Sequence, residues 1–213
     1  MFDTSTVTFL NELKANNTKD WFAANKPTYE RHVKDAAASF CDDLAPRLAA
    51  RYQTDVTSKV FRIHRDLRFS KDKTPYKTNV HVSFRDSATG AAWMFGLQPD
   101  TLVVGFGLFA FDRNVLPRWR ETVAGAAGDE LQGALDKAVA SGLRLSELDL
   151  KRVPAPYDAQ HQNADLLKRK GLAVWRDGLA QEIAFGPQAP KHIAETMQVF
   201  DPVRNWLRTY LPA

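Results

Sequence analysis

The feature that most restricts the fold of this chain is a series of short apolar segments in its middle, joined by turns too short to hold a helix. Asn79–Arg85 alternates polar and apolar residues, as a strand with one buried face requires. Asp86–Gly90 supplies a turn, and Ala91–Leu97 and Thr101–Leu108 follow as strands around Pro99-Asp100. Parallel neighbours would need long crossover connections, so this spacing predicts an antiparallel sheet.

The segments on either side of these strands carry apolar residues at helical spacing. A first helix is expected to begin at Ser5 or Thr6, and a longer one to begin at Pro27 and to kink or restart at Pro46. Beyond the strands the pattern is again mainly helical up to the C-terminus. The sequence therefore predicts a single α+β domain over residues 1–213, with a central antiparallel sheet and helices from the N- and C-terminal segments packed on it.

Two further short strands are expected in the second half of the chain. Leu148–Arg152 is typical of a strand that ends before Pro154, and Leu172–Trp175 is typical of a strand at the edge of a sheet. Between them, Asn163 is expected to cap a short helix over Ala164–Lys170.

The positive charge of the chain is concentrated in residues 59–78. This segment holds seven Lys or Arg residues against two Asp residues, a surplus of five, whereas the whole chain has a net charge of +4. The other residues together therefore carry about −1, so the basic character of the protein belongs to this segment. Alternation over Val56–Phe69 predicts a strand with a polar, mainly cationic face made by Val60, Arg62, His64, Asp66 and Arg68. Ser70–Pro75 is polar and predicts a loop that leads into the next strand.

This arrangement predicts an anion-binding site, because a strand face and the adjoining loop converge on one patch. Guanidinium groups offer planar forks of donors and ammonium groups offer compact charges, and together they suit phosphate or carboxylate. The residues expected to form the site are Arg62, His64, Arg65, Arg68, Ser70, Lys71, Lys73, Tyr76 and Lys77. The expected ligand is a phosphorylated or otherwise anionic small molecule, bound with or without catalytic turnover. The sequence assigns neither a cofactor nor a catalytic residue.

Two other interpretations of the same segment stay open. Its cations could bind nucleic acid, with Tyr76, Phe69 and Trp93 as stacking partners for the bases. Alternatively, the chain is a structural or protein-interaction module in which surface ion pairs stabilise a turn, each contributing about 0–1 kcal/mol. The first alternative predicts binding that falls steeply with salt, and the second predicts that loop substitutions change stability without changing any ligand affinity.

Three histidines within or near these motifs are candidates for proton transfer at neutral pH: His64, His81 and His161. His64 lies between Arg62 and Arg65, which disfavours its cationic form and predicts a neutral imidazole. A polar strand residue bonded to its neighbour is the alternative interpretation of the same histidine. Neither a His-x-x-x-His motif nor a pair of cysteines supplies metal-ligand spacing, so no metal site is predicted.

The remaining features exclude several classes of protein. Cys41 is the only cysteine, so no intrachain disulfide is possible, and its position beside an apolar helical stripe predicts a buried thiol and not a nucleophile. Gly105 and Gly107 interrupt the longest apolar segment. The other residues of a nucleotide-binding fingerprint are absent around them, so the two glycines predict a bulge or close packing. That segment is also far shorter than the roughly 18–20 residues of a membrane helix. The first residues do not resemble a signal peptide, so we expect a cytoplasmic protein without a membrane partner.

The basic segment also carries a resemblance to a known family. The string from Arg62 to Thr78, RIHRDLRFSKDKTPYKT, is similar to the signature of a bacterial family known as domain of unknown function 2461. Matches to the opening and C-terminal motifs of the family are Asp20-Trp21-Phe22, Asn25-Lys26, Tyr29-Glu30, Leu150–Pro154, Tyr157-Asp158, His161, Leu166–Lys168 and Lys170. Ala155-Pro156 departs from the family pattern, which has a basic residue and a glycine there. The resemblance implies a shared fold over nearly the full chain and assigns no activity.

Overall fold

A computed structural model of the chain describes residues 1–68 and 70–213. Within these residues the architecture is α+β, with a six-stranded antiparallel sheet and helices contributed by both terminal segments, as the sequence predicts. The strands are β1 (Val56–Val60), β2 (Val80–Asp86), β3 (Ala92–Leu97), β4 (Leu102–Leu108), β5 (Arg144–Leu145) and β6 (Leu172–Leu179). Their order across the sheet is β1-β2-β3-β4-β6-β5.

The helices before the sheet are α1 (Thr4–Ala15), α2 (Lys19–Ala24), α3 (Lys26–Tyr29) and α4 (Asp35–Tyr52), with a π-helical segment at Glu30–Lys34 between the last two. Those after β4 are α5 (Val115–Val123), α6 (Ala126–Ala140), α7 (Ala164–Leu167), α8 (Ala189–Thr196) and α9 (Asp201–Tyr210). Single turns of 3-10 helix lie at Gln181–Ala184 and Met197–Phe200.

The N-terminal helices begin slightly earlier than the sequence predicts. Asp3 caps α1, because its carboxylate accepts a hydrogen bond from the Thr6 backbone and the Thr6 hydroxyl accepts one from the Asp3 backbone. The predicted restart at Pro46 is wrong, since α4 continues through this residue. Burial of Phe40 and Leu48 on one side of α4 outweighs the cost of a proline inside a helix, about 3 kcal/mol.

The chain divides into two compact units whose residue ranges interleave along the sequence. Unit 1 comprises Met1–Phe84, Met94–Val104 and Asp177–Thr196, and unit 2 comprises Arg85–Trp93, Gly105–Arg176 and Met197–Ala213. The single domain that the sequence predicts stays a prediction.

Aromatic side chains form the core of unit 1. The Phe2 and Phe95 rings are stacked with their centres 5.6 Å apart, and the Phe40 ring lies 4.6 Å from that of Phe95. Phe40 also contacts Phe84 of β2 edge to face. The helices of this unit are therefore fixed to the sheet by large apolar contacts.

The burial of β2 follows the alternation seen in the sequence. Val80, Val82 and Phe84 are buried, whereas His81 and Ser83 are only partly buried. The apolar face of β2 is thus directed to the core, and the opposite face presents His81.

Unit 2 is centred on tryptophans. The Trp119 and Trp206 rings meet edge to face at 5.7 Å, and each indole N–H donates to a backbone carbonyl, of Leu166 at 2.9 Å and of Ala127 at 2.7 Å respectively. Buried indoles need such partners, so these bonds fix α5, α6 and α9 against the segment that contains Leu166.

The strand predicted over Val56–Phe69 is wrong beyond Val60, where β1 ends. The chain instead forms an irregular hairpin whose described residues are 61–68 and 70–78, which we call the basic hairpin. Its arms are joined by hydrogen bonds from Arg65 N to Pro75 O (2.9 Å) and from Lys77 N to Ile63 O (2.7 Å). Pro75 has no N–H with which to continue a regular ladder, so an isolated antiparallel bridge between His64 and Tyr76 replaces a strand. The predicted end of the strand, Phe69, lies outside the described residues.

Two strand predictions in the second half also need correction. Leu148–Arg152 is not a strand; the short strand is β5, whose Arg144 and Leu145 lie opposite Trp175 and Val174 of β6. β6 is not the edge strand, because β5 covers its outer side. Leu172, Ala173 and Val174 at the start of β6 are all buried, which indicates that both faces of the strand are covered there. The helix predicted over Ala164–Lys170 ends earlier, at Leu167.

None of the helices within residues 1–68 and 70–213 combines the length and the apolar character needed to cross a bilayer.

Candidate functional site

Unit 1 contains a hollow of about 570 Å³ beside the basic hairpin, which we call the hairpin hollow. Helix α1, the turn after it, the basic hairpin and β2 all contribute to its walls. The residues that line it are Lys14, Asn17, Arg65, Asp66, Asp72, Thr74, Tyr76, Lys77, Thr78, Asn79 and His81. It therefore combines residues far apart in sequence with the most basic segment of the chain.

Asn17 holds the basic hairpin in place. Its Nδ2 donates to Tyr76 O at 3.0 Å, and its Oδ1 accepts from Tyr76 N at 3.1 Å, so one carboxamide pairs with both backbone polar groups of Tyr76. The Tyr76 ring is stacked on Phe22 of α2, with the ring centres 4.1 Å apart. Phe22 of the N-terminal motif and Tyr76 of the basic segment therefore pack against each other.

Several cationic side chains of the basic hairpin form hydrogen bonds or ion pairs with other residues of the hairpin. Arg65 Nη1 donates to Asp72 Oδ2 and, at 2.7 Å, to the Thr74 hydroxyl. Arg68 forms two parallel hydrogen bonds with the Asp66 carboxylate, and Lys73 Nζ donates to Leu67 O at 3.0 Å. The two carboxylates therefore neutralise Arg65 and Arg68, whereas the bond to Leu67 O leaves the charge of Lys73 in place.

The carboxylates of these pairs are stabilised in their ionised form. The pKa of Asp72 is lowered to about 2 by hydrogen bonds from the Thr74 backbone N–H and hydroxyl and from Arg65. The pKa of Asp66 is lowered mainly by its hydrogen bonds with Arg68. Both carboxylates are therefore charged at neutral pH and offset the neighbouring guanidinium groups.

Lys14 and Lys77 are the lining cations that these carboxylates do not neutralise. Within the described part of the chain, neither ammonium group forms an ion pair with an Asp or Glu side chain. Lys77 Nζ lies 5.9 Å from the centre of the Phe61 ring. When Arg65 is counted with Asp72 and Asp66 with Arg68, the walls keep two uncompensated positive charges.

His81 and Asn79 form a neutral, hydrogen-bonding part of the wall. Asn79 Nδ2 lies 3.2 Å from His81 Nε2, while Asn79 Oδ1 is buried without a hydrogen-bond partner. Burial and then the charge of Lys77 lower the pKa of His81, so its imidazole is neutral at pH 7. The ring lies against β3, where a Cβ added to Gly96 would come 3.2 Å from His81 Cδ2.

The other two candidate histidines have structural contacts. The exposed His64 ring lies 5.2 Å from the Tyr76 ring and 6.2 Å from the Phe22 ring, centre to centre. His161 Nδ1 accepts from Asn163 N at 3.0 Å, and its Nε2 lies 3.2 Å from Ala124 O. Both ring nitrogens of His161 are thus occupied by backbone groups.

The hairpin hollow includes only part of the predicted anion site. Arg65, Tyr76 and Lys77 line it, and the predicted site residues that do not are Arg62, His64, Arg68, Ser70, Lys71 and Lys73. Sequence reasoning did not assign Lys14, Asn17, Asn79 or His81 to the anion site. The signal for Asn79 and His81 was their place on the polar face of the strand predicted over Asn79–Arg85, whereas Lys14 and Asn17 carry no local signal.

Two of the three stacking partners proposed for nucleic acid, Trp93 and Tyr76, are buried. Trp93 is 0% exposed, and the Arg204 guanidinium carbon lies 5.6 Å from the centre of its indole ring. Tyr76 is 7% exposed and is already stacked on Phe22. Phe69 lies outside the described residues.

Cys41 is buried, as the sequence predicts, with 4% of its surface exposed. Burial raises the pKa of its thiol to about 11, which disfavours the nucleophilic thiolate. Over residues 1–68 and 70–213, no three His, Cys, Asp or Glu side chains are grouped in a way that could hold a metal ion.

The sequence model of a protein family described as "Conserved hypothetical protein (DUF2461)" matches residues 5–206. The chain belongs to this family. The resemblance that the motifs indicate is therefore confirmed over most of the chain. The matched range includes every residue that lines the hairpin hollow. No curated protein matches the chain.

Proposed function

We propose that the hairpin hollow binds a phosphorylated or otherwise anionic small molecule. The observation that supports this function best is the pair of ammonium groups, Lys14 and Lys77, that line a space of about 570 Å³ without a carboxylate partner among the described residues. Unpaired cations in a concave wall attract anions more strongly than the same groups on a flat surface. The volume lies within the roughly 300–1,000 Å³ that small-molecule sites occupy.

Within this proposal the residues have different roles. Lys14 and Lys77 bind the anion directly, and Arg65 contributes a guanidinium whose position is fixed by Asp72 and Thr74. Asn17 acts as a positioning residue, because it holds the backbone of Tyr76, the residue before Lys77. Turnover of the ligand is not part of the proposal, since no nucleophile or acid–base pair is assigned.

Binding of inorganic phosphate and pyrophosphate tests the proposal directly. Isothermal titration calorimetry at low ionic strength should show saturable binding to the unmodified chain. Lys14→Met and Lys77→Met should each weaken binding by roughly 10- to 100-fold, because a hydrogen bond to a charged group contributes about 1.5–3 kcal/mol.

Lys71→Met is the matched control, since Lys71 is exposed and outside the lining of the hollow. Equal loss of affinity in all three variants would show a diffuse charge effect and contradict a built site. Binding of single-stranded RNA that falls steeply with salt, without saturable binding of either phosphate compound, would favour the nucleic-acid alternative.

A structural role for the loop cations is a second candidate, favoured by a separate observation. Arg65, Arg68 and Lys73 each donate hydrogen bonds within the basic hairpin. This candidate predicts that Lys73→Ala lowers the free energy of unfolding by about 0.5–1.5 kcal/mol, the net contribution of one hydrogen bond, with no effect on phosphate affinity. Lys71→Ala should stay within about 0.5 kcal/mol of the unmodified chain.

A further inference from the structure

We propose that the natural ligand of the hairpin hollow is a hydroxyl-bearing phosphomonoester, such as a sugar phosphate or a nucleoside monophosphate, whose phosphate binds Lys14 and Lys77 and whose hydroxyl groups bind Asn79 and His81. This inference rests on the proposed function and specifies its ligand. It is carried by the division of the wall into a cationic part and a neutral hydrogen-bonding part.

The charge of the cationic part matches a phosphomonoester. The carboxylates of Asp66 and Asp72 are engaged by Arg68 and Arg65, which leaves the two ammonium groups uncompensated. A phosphomonoester carries about −1.5 to −2 at pH 7, whereas a single carboxylate carries only one negative charge. Two ammonium groups are therefore balanced by one phosphomonoester group.

The neutral part of the wall requires something that a phosphate cannot supply. Asn79 Oδ1 is a buried acceptor without a partner, and an ionised phosphate offers almost exclusively acceptors. A buried acceptor without a hydrogen bond is unfavourable, so a slight rotation of the Asn79 side chain toward a donor of the ligand would satisfy this oxygen. Hydroxyl groups donate and accept, which makes them suitable partners for both Asn79 and His81.

The arrangement of the imidazole supports the same division. With Nε2 of His81 accepting from Asn79 Nδ2, the proton of the neutral ring lies on Nδ1, which is then a donor. The Nδ1–H can donate to a ligand oxygen and Asn79 Oδ1 can only accept, so the two residues together suit a group that both donates and accepts, such as a hydroxyl. The hollow of about 570 Å³ is also much larger than inorganic phosphate requires, so it has room for the body of a phosphorylated sugar.

The test compares dissociation constants of ribose 5-phosphate, glucose 6-phosphate and AMP with those of methyl phosphate, which has the same charged group and no hydroxyl on its body. At least one hydroxyl-bearing compound should bind the unmodified chain tenfold or more tightly than methyl phosphate does. Asn79→Leu and His81→Gln should reduce this ratio to below threefold and leave the affinity for methyl phosphate within threefold. Lys77→Met should weaken both classes of ligand by the same factor.

Gly96→Ala provides a variant that keeps every polar group. Its added Cβ would come 3.2 Å from His81 Cδ2 and must displace the imidazole slightly. It should lower the preference for hydroxyl-bearing compounds while leaving methyl phosphate binding unchanged. Far-UV circular dichroism and thermal melting confirm that each variant is folded before it is titrated.

The possible failures are distinguishable. If none of the phosphate compounds binds, the proposed function itself is overturned, and this inference with it. If methyl phosphate and the hydroxyl-bearing compounds bind equally well, only the inference about ligand class is overturned. If folded Asn79→Leu loses methyl phosphate binding as fully as Lys77→Met does, the separate hydroxyl-binding role of Asn79 is wrong.

Discussion

Asn17 and Tyr76 are separated by 59 residues, yet the Asn17 carboxamide pairs with both the N–H and the carbonyl of Tyr76. In a sheet, a neighbouring strand provides both of these backbone hydrogen bonds. Here the side chain of Asn17 provides them. The contact links the turn after α1 to the basic hairpin. It thereby places Lys14 and Lys77 in the walls of the same hollow.

Asn17→Ala should therefore destabilise the protein more than an ordinary surface substitution. Two hydrogen bonds to a partly buried backbone are lost, and we expect the free energy of unfolding to fall by about 1–3 kcal/mol. Urea unfolding measures this change. Asn16→Ala is the control, because the Asn16 side chain donates to Glu12 O in the last turn of α1, and its loss should cost less than about 1 kcal/mol. Equal costs for the two variants would argue against the special role of Asn17.

Breaking the buried ion pair of unit 2 should lower the free energy of unfolding more than Asn17→Ala does. Arg204 Nε donates to Asp86 Oδ2 at 2.8 Å, and both side chains are almost fully buried. Arg204→Met removes the guanidinium that contacts the buried carboxylate of Asp86 and should lower the free energy of unfolding by about 3–5 kcal/mol. Arg208→Met on the same helix, at an exposed position, should change it by less than about 0.5 kcal/mol.

A double-mutant cycle with Asp86→Asn separates the two contributions of this pair. Removing both charges should restore part of the stability lost in Arg204→Met, because the buried carboxylate that has lost the Arg204 guanidinium is then absent. Additive losses in the double variant would show that the pair does not interact as the geometry implies.

Cys41 should react slowly in the native protein. Its pKa of about 11 leaves roughly 0.1% thiolate at pH 8, against about a quarter for an ordinary thiol of pKa 8.5. We expect alkylation by iodoacetamide at pH 8 to be about 100-fold slower in the native state than in 6 M guanidinium chloride or slower still, since burial also limits access. Mass spectrometry follows the labelling, and rapid native labelling would contradict the buried position.

Glycines 107 and 133 should respond to alanine in opposite directions. A Cβ on Gly107 would lie 2.0 Å from Leu172 O, a backbone atom that cannot move aside cheaply, whereas nothing lies within 4 Å of the equivalent position on Gly133 in α6. Gly107→Ala should therefore destabilise by more than about 2 kcal/mol. Gly133→Ala should stabilise by about 0.5–1 kcal/mol, because alanine is the better helix former. Thermal and urea unfolding of both variants show whether each substitution raises or lowers the free energy of unfolding.

The parts of the fold that were predictable are those set by local pattern. The alternation at Val80, Val82 and Phe84 identified β2 correctly, and short turns around β3 required antiparallel neighbours. The strand predicted up to Phe69 was wrong after Val60 because an alternating pattern does not show whether a partner strand is available. In this segment the partner contains Pro75, which interrupts the ladder.

The site was predictable only where its residues are close together in sequence. Arg65, Tyr76 and Lys77 were identified because they lie in the basic segment, whereas Lys14 and Asn17 come from a helix and turn about fifty residues earlier. Counting charges gave the surplus of cations but not which of them are paired, since the Arg65–Asp72 pair forms across the hairpin and is not visible in composition.

The same ion pair gives a prediction about pH. Hydrogen bonds from the Thr74 backbone and hydroxyl, and then from Arg65, lower the folded-state pKa of Asp72 to about 2, from about 3.9 in an unfolded chain. A carboxylate with a lowered pKa stabilises the fold above its unfolded pKa, and this contribution disappears as the pH falls from about 4 to 2. Asp72→Asn should therefore flatten the dependence of stability on pH in that window.

Carbon-13 NMR of the side-chain carboxyl measures the pKa of Asp72 directly. Thr74→Val removes the hydroxyl donor and should raise this pKa, and Arg65→Met should raise it as well. Arg68→Met should leave it nearly unchanged, because the Arg68 guanidinium is bonded to Asp66 and not to Asp72. If the unmodified chain shows an Asp72 pKa near 3.9, these hydrogen bonds do not persist in solution. Arg65 would then be available to bind an anion directly, but the net charge of the hairpin hollow would stay the same, because Asp72 would lose its partner as well.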